Sequence, residues 1–278
     1  MNILVTGGSG FLGRHIVEHY SGKQNVLYPT SRIVDFTCPK QVGEYLQSNK
    51  IEVVIHAAIK GGKRTDAEYF SDFIANLKMY ENLKLNSFRF KKIINFCSGA
   101  AFDRDLGVDK VRERKVLDVL PKDYYGLAKN LIAKDMNNGD NKFINLRLFG
   151  CFGLYENNNR FIKNSLVRSI NGMPIEVHQD RQMDFFWVGD LLRTLDYVLL
   201  KDFETAFDCN MCYKKKHSLI DIANIIKHLT NSPYDIILHK EGLEKPYTGA
   251  NQKLDSLPLG LKGLEHGIKC MYDQLKRV

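Results

Sequence analysis

Two side chains four residues apart in DYYGLAKNLIAKDM could do chemistry together: Tyr125 and Lys129. The stretch has the periodicity of a helix, and an i, i+4 pair projects from one helix face. A phenol that titrates near 10 is a poor acid–base group at neutral pH, but a neighbouring ammonium favours the phenolate and makes proton exchange with a bound oxygen feasible. Tyr124 has no lysine at that spacing and reads as packing or substrate contact. Upstream, KKIINFCSGAAF reads as a strand that ends at Ser98. Any one of these three residues alone is more often structural; their conjunction, in this order, makes them a candidate catalytic set. A second candidate is CNMC, with Cys209 and Cys212, but no second pair or histidine cluster completes a tetrahedral metal site. The six cysteines are scattered through the chain, unlike a disulfide framework, so reduced thiols and no metal are expected.

The elements around these residues alternate. NILVT, NVLYPT, VVIHAA, KIINFCS and FINLRLFG are short apolar runs, and FLGRHIVEHY, PKQVGEYLQSNK, FSDFIANLKMYENLKLN and YYGLAKNLIAKDM are amphipathic stretches between them. Buried strands separated by helices imply βαβ units and a parallel sheet covered on both faces. The expected fold is α/β: a Rossmann-type doubly wound parallel sheet over residues 1–152, with a smaller α/β lobe over 153–278. One return to the main sheet is expected around 183–203, where DFFWVGDLLRTLDYVLL reads as a strand running into a helix.

The chain of 278 residues is long enough for this arrangement, and 44% hydrophobic and 26% charged residues are ordinary globular values. The net charge of +8 is spread out, and its densest cluster, Lys214 to Lys216, reads as a solvated loop without an aromatic platform for bases. No nucleic-acid partner is expected. No apolar run approaches bilayer length, and the first strand and glycine loop leave no room for a cleavable signal, so a cytoplasmic protein without a membrane partner is expected.

That loop is TGGSGFLG, with Gly7, Gly10 and Gly13 between the first strand and first helix. A tight turn there lets a pyrophosphate approach the backbone, and the helix start offers free N–H groups and a positive dipole end. The Gly-x-x-Gly-x-x-Gly spacing resembles that of the extended short-chain dehydrogenase/reductases, the NAD-dependent epimerase/dehydratase family, which act on nucleotide sugars. The resemblance continues through DFT, VVIHAA, Asn76, YYGLAK, LRLFGCFG, DFFWVGDL and NQKLDSLPLG, nearly the whole chain. It implies cofactor contacts from Gly7, Gly10, Phe11, Leu12, Gly13, Arg14, Phe36, Ala57, Ala58 and Asn76, with Asp35 on the adenine amino group. It also implies that Ser98 binds the reacting oxygen while Tyr125 and Lys129 act with the nicotinamide. At the end of the second strand NVLYPTSR offers no acid for ribose hydroxyls; Ser31, Arg32 and the nearby Arg14 favour the extra phosphate of NADP, with NAD second.

Dehydratases of this family carry an Asp-Glu pair directly after the catalytic Ser or Thr. Here Gly99 and Ala100 stand there, which excludes that carboxylate chemistry. The KGG loop (Lys60, Gly61, Gly62) resembles the bifunctional epimerase-reductases of the GDP-fucose synthase type, whose cysteine and histidine acid–base pair is replaced here by Ala100 and Tyr155. Hydride transfer at C4 remains. By resemblance, Lys60, Ser98, Asn159 and Arg160 contact a nucleotide-diphosphate sugar, and Arg181 takes over from the arginine that Met183 replaces. The expectation is an NADPH-linked reductase of a 4-keto nucleotide sugar, acting as a homodimer. A 4-epimerase holding NAD, a bifunctional 3,5-epimerase/4-reductase and a non-catalytic NADP-sensing protein are the alternatives.

Overall fold

A computed structural model describes residues 1–62, 67 and 69–277. In chain order the elements are β1 (Asn2–Thr6), α1 (Phe11–Tyr20), β2 (Asn25–Leu27), α2 (Pro39–Asn49), β3 (Val53–His56), α3 (Phe70–Leu85), β4 (Lys92–Ser98), β5 (Val108–Val111), α4 (Tyr124–Asn137), β6 (Phe143–Leu148) and β7 (Cys151–Phe152). There follow α5 (Phe161–Ile170), β8 (Glu176–Asp180), β9 (Phe186–Trp187), α6 (Val188–Leu200), β10 (Phe207–Met211), α7 (Leu219–Thr230), β11 (Ile237–Leu243), β12 (Tyr247–Gly249), α8 (Gln252–Asp255) and α9 (Leu264–Leu275). They fall into two compact units. The first holds Met1–Asp103, Glu113–Arg147 and Leu195–Cys209; the second holds Arg104–Arg112, Leu148–Thr194 and the chain from Asn210 onward.

The first unit is a six-stranded parallel sheet in the order β10-β6-β4-β3-β1-β2, flanked by helices. Ile3, Leu4 and Val5 of β1, Val53 to Ile55 of β3 and Ile93 and Ile94 of β4 are all buried, as strands covered on both faces must be. One core contains Leu4, Val42, Leu46, Val54, Leu83, Ile93, Ile132 and Phe143. Helix ends are marked by local chemistry. Pro39 opens α2, where its missing N–H costs nothing, and the Asp123 side chain caps α4 by accepting from the Gly126 N–H at 2.7 Å. The buried Lys92 ammonium closes the last turn of α6, donating to the carbonyls of Val198, Leu199 and Lys201 at 3.3, 2.9 and 2.7 Å.

A row of polar residues crosses this sheet, at the C-terminal ends of β1 and β3, midway along β4 and β6, and at the start of β10. Thr6 lies beside His56, and His56 beside Asn95. Asn95 donates to Asn145 at 2.8 Å, and Asn145 donates to Asp208 at 2.9 Å. The row ends on a buried ion pair, with Arg147 Nη2 2.8 Å from Asp208 Oδ2 and the guanidinium over the Phe102 ring. All five residues of the row are buried. Each polar group inside an apolar sheet costs free energy unless paired, and the hydrogen bonds along the row offset most of that cost, although Asn95 Oδ1 finds no partner among the described residues.

In the second unit α5, α7 and α9 pack around Phe152, Ile162, Leu166, Ile222, Ile226 and Ile268. Three parallel strand pairs, β8 with β11, β12 with β5 and β7 with β9, complete it. The sequence placed the domain break at 152 and the return near 183–203; the compact units break after Arg147 and return over Leu195–Cys209. The reason is β9: Phe186 and Trp187 pair with Cys151 and Phe152 inside the second unit, and only the later half of α6 and the start of β10 rejoin the first.

One lysine of the KKK cluster departs from the solvated reading. The Lys216 side chain is 7% exposed and its ammonium stands 2.7 Å from Asp184, whose carboxylate also accepts from the Gly249 N–H. The carboxylate, buried and hydrogen-bonded, provides the partner a buried lysine needs. Lys214 and Lys215 are exposed. Cys209 and Cys212 are both buried, and the Cys212 thiol donates to the Gly249 carbonyl at 3.3 Å. Among the described residues no cluster of three or more His, Cys, Asp or Glu side chains could hold a metal ion, and no helix is long and apolar enough to cross a membrane.

Candidate active site

The glycine loop closes on itself and on the next strand. The Gly10 N–H donates to the Gly7 carbonyl at 2.9 Å, and Gly10 is the extended residue from which α1 starts. A Cβ on Gly13 would overlap the Gly7 carbonyl oxygen, and one on Gly7 would stand 2.7 Å from Ala58 Cα. Only glycine allows these approaches. They leave the N–H groups of Phe11, Leu12 and Gly13, which lack intrahelical acceptors, at the positive end of α1. Thr6 fixes the other wall: its hydroxyl accepts from the Ala58 N–H at 3.1 Å and lies 2.8 Å from His56 Nδ1. Ala57 and Ala58 are thus brought against the glycine loop. A cradle that a single methyl would fill, at a helix start, fits the pyrophosphate of a dinucleotide.

Asp35 sits in a small turn in which the Thr37 N–H and hydroxyl both reach its Oδ1, at 2.9 and 2.8 Å. Those two bonds hold its carboxyl below the usual range, with Lys60 adding a weaker pull. The second oxygen is on an exposed edge, suited to accept from an amino group. Ser31 and Arg32 are exposed in the turn that follows β2, and Arg14 on α1 is 3.4 Å from Glu18. Asn76 is buried on α3. Both ends of its amide are engaged by the backbone of Lys60, accepting from its N–H at 2.8 Å and donating to its carbonyl at 3.0 Å.

The docking of α4 on the end of β4 brings Lys129 and the first turn of α4, which carries Tyr125, to the segment that holds Ser98. Lys129 Nζ donates to the Phe96 carbonyl of β4 at 2.6 Å. Asn130, the next residue, donates to the carbonyls of Ala101, Val116 and Val119 at 2.9, 3.0 and 3.2 Å, which ties the segment after Ser98 to the helix. Gly126 approaches so closely that a Cβ there would stand 2.5 Å from the Ala100 carbonyl oxygen. Ser98 Oγ accepts from the Ala100 N–H at 3.1 Å, so its own O–H remains to donate.

Burial sets the charges here. Lys129 is 6% exposed, and desolvation brings its ammonium down to about 8. His56 is pushed down to about 3, first by burial and then by the charge on Lys129, so it stays neutral beside the lysine at pH 7. Thr6, His56 and Asn130 were not assigned roles from the sequence. His56 stood in plain view in VVIHAA, but only the strand pairing shows what it touches.

The second unit carries Asn159, Arg160 and Arg181. Asn159 and Arg160 are exposed in the loop before α5, where Arg160 Nε lies 3.7 Å from Glu156 Oε2. Glu156 was not singled out by sequence reasoning; it is 4% exposed and burial pushes its carboxyl up to about 8 against the pull of Arg160 and Lys163. Arg181 is buried, with Nη1 3.2 Å from Glu244 and Nη2 3.4 Å from the Met183 sulfur. Part of the guanidinium expected to grip a diphosphate is therefore engaged within the lobe.

A family model described as the NAD dependent epimerase/dehydratase family matches residues 3–209. GDP-L-colitose synthase of Yersinia pseudotuberculosis is 28% identical over 224 residues, 72% of each chain. dTDP-4-dehydro-6-deoxyglucose reductase of Escherichia coli is 23% identical over 262 residues, 80% of this chain and 76% of its own. Among solved structures, a GDP-mannoheptose C4 reductase from Campylobacter jejuni with NADP bound superposes with a TM-score of 0.84 at 19% identity, covering 99% of this chain and 98% of that one, which is a likeness of fold.

Proposed function

The chain belongs to the NAD-dependent epimerase/dehydratase family, and from that premise we propose that it reduces the 4-keto group of a nucleotide-diphosphate sugar with NADPH. What supports this reading is the docking of α4 on β4, which anchors Lys129 on Phe96 and sets the start of α4 against the segment after Ser98. The reductases among the similar proteins support it, as does the NADP-bound neighbour.

The nicotinamide would supply hydride to C4. The chain's own work is to bind, orient and protonate. Ser98 donates its O–H to the 4-oxygen, holding the carbonyl in one orientation. Tyr125 gives its phenolic proton to that oxygen as charge develops on it. Lys129, charged at neutral pH and anchored on Phe96, stabilises the phenolate left behind. The loop Gly7–Gly13 and the start of α1 hold the pyrophosphate, Asp35 the adenine amino group, and Ser31, Arg32 and Arg14 the 2′-phosphate. Phe36, Ala57 and Ala58 line the groove. Asn159 and Arg160 of the second unit take the nucleotide-sugar, with Lys60 and Arg181 in supporting roles. A homodimer belongs to the same proposal, supported by the exposed aromatics Phe70 and Tyr124 at the starts of α3 and α4.

The test is NADPH oxidation with a panel of 4-keto nucleotide sugars. Tyr125→Phe lowers turnover by about 10²–10⁴-fold and leaves cofactor affinity intact, the range for loss of a general acid. Label from deuterated NADPH appears at C4, and none enters C3 or C5 from deuterated water, because Ala100 and Tyr155 stand where a bifunctional enzyme has its acid–base pair. Interconversion of 4-hydroxy sugars without net NADPH consumption would identify an epimerase instead.

A further inference from the structure

The loop Lys60–Gly62 lies directly on the Tyr125 ring. A methyl built on Gly62 would stand 2.7 Å from Tyr125 Cε2, 2.8 Å from Cδ2 and 3.3 Å from Cζ, so the bare glycine backbone faces the ring along one edge. On its other side the loop is held by α3. Asn76, 3% exposed, closes a two-hydrogen-bond ring on the Lys60 backbone, and a methyl on Gly61 would stand 2.9 Å from Asp72 Oδ2. Gly61 and Gly62 both have positive φ, 66° and 85°, which directs the chain from the Asn76 clamp onto the tyrosine. Any wider residue at 62 would be strained by its φ and would press on the ring.

We propose that Asn76 and Gly62 are positioning residues for the proton donor: α3 grips Lys60, and the glycine pair carries that grip to Tyr125, confining its ring. Asn76 then acts through the loop. This rests on the reading of Tyr125 as proton donor, and goes beyond it by naming what sets the phenol's direction. The ring is placed by two side-chain torsions; the helix excludes one χ1 well and leaves the choice among the rest to neighbours. The loop supplies one such neighbour, made of backbone, which cannot swing aside as a side chain could.

The test uses Asn76→Ala, which releases the clamp, and Gly62→Ala, which presses on the ring. Two readouts are taken on each: steady-state kinetics over a pH series, and NMR of protein labelled with ¹³C at the tyrosine ε carbons, with Tyr125 assigned from Tyr125→Phe. In Asn76→Ala, kcat falls about ten- to a hundredfold, as expected when a reacting group is misplaced by an ångström or less, and by more than KM for NADPH or for the sugar changes. The pH at which kcat declines also moves, and the Tyr125 signals show faster ring flips. Asn76→Asp keeps the acceptor for the Lys60 N–H and retains part of kcat. Gly62→Ala shifts the Tyr125 signals and likewise lowers kcat by more than it changes KM. Wild-type kcat, pH profile and ring flipping in folded Asn76→Ala overturns the proposal, as does a rise in KM with kcat unchanged. Should Asn76→Ala not fold, wild-type Tyr125 signals and kcat in Gly62→Ala overturn it equally. If the ring responds as stated while the wild-type enzyme reduces no keto sugar, the positioning stands and the reductase reading falls.

Discussion

Replacing Glu156 with Gln isolates a single buried proton. The carboxyl is 4% exposed, its Oε1 has no hydrogen-bond partner, and the Arg160 Nε at 3.7 Å is too distant to repay desolvation. The folded protein therefore keeps the proton up to about pH 8, whereas the unfolded chain releases it near the ordinary value of 4.5. Between those values the folded state binds one proton more than the unfolded state, so stability falls as pH rises, by about 1.4 kcal/mol per pH unit. Over the whole window from 4.5 to 8 this reaches at most about 5 kcal/mol. Gln cannot titrate. Urea unfolding of the wild type and Glu156→Gln at half-unit steps from pH 5 to about pH 9 provides the assay, and the quantity to plot is the stability of the variant minus that of the wild type. Every other titrating group cancels in that difference. It climbs with pH at the stated slope and levels off near 8. A flat difference would refute the argument from burial and would show that Arg160 and Lys163 hold the carboxylate ionised in the folded state.

Lys129 titrates in the opposite sense. Its folded ammonium loses its proton near 8 and its unfolded one near 10.5, so the unfolded state binds more protons between them and wild-type stability rises with pH there. Lys129→Met loses that rise, by about 1.4 kcal/mol per unit in urea melts across the window, and loses turnover too. Replacing Arg14 and Arg32 together with Ala weakens NADPH by about tenfold or more per arginine and leaves NADH nearly unchanged, measured by fluorescence titration. Equal losses would place neither arginine at the 2′-phosphate.

The parallel sheet was legible because its strands are written in one alphabet, ILV, VVI, II and INL, between amphipathic stretches. The patterns from which the candidate site was read, glycines in a strand–helix turn and a Tyr–Lys pair on one helix face, are local in the same way. The pair β5 with β12 was not legible, because VDKV and YTG carry no apolar alternation and are strands only by virtue of a partner far along the chain; the strand in DFFW was read, but not its pairing with β7. Lys216 and Glu156 illustrate the same limit. Their sequence neighbours are polar and suggest solvent, and their burial is imposed by residues brought from elsewhere, Asp184 in one case and the turn wrapped by Lys163 in the other.

The polar row across the sheet answers a problem that the strands themselves create. Segments as alike as ILV, VVI and INL could exchange places or slip along one another with little change in the hydrocarbon they bury. Thr6, His56, Asn95, Asn145 and Asp208 make them distinguishable, as an address on each strand. In any other order, or one residue out of step, an amide, an imidazole or the Asp208 carboxylate would meet hydrocarbon without its partner. The interior thus carries its own assembly instructions, written in the few residues that a purely apolar sheet would have discarded.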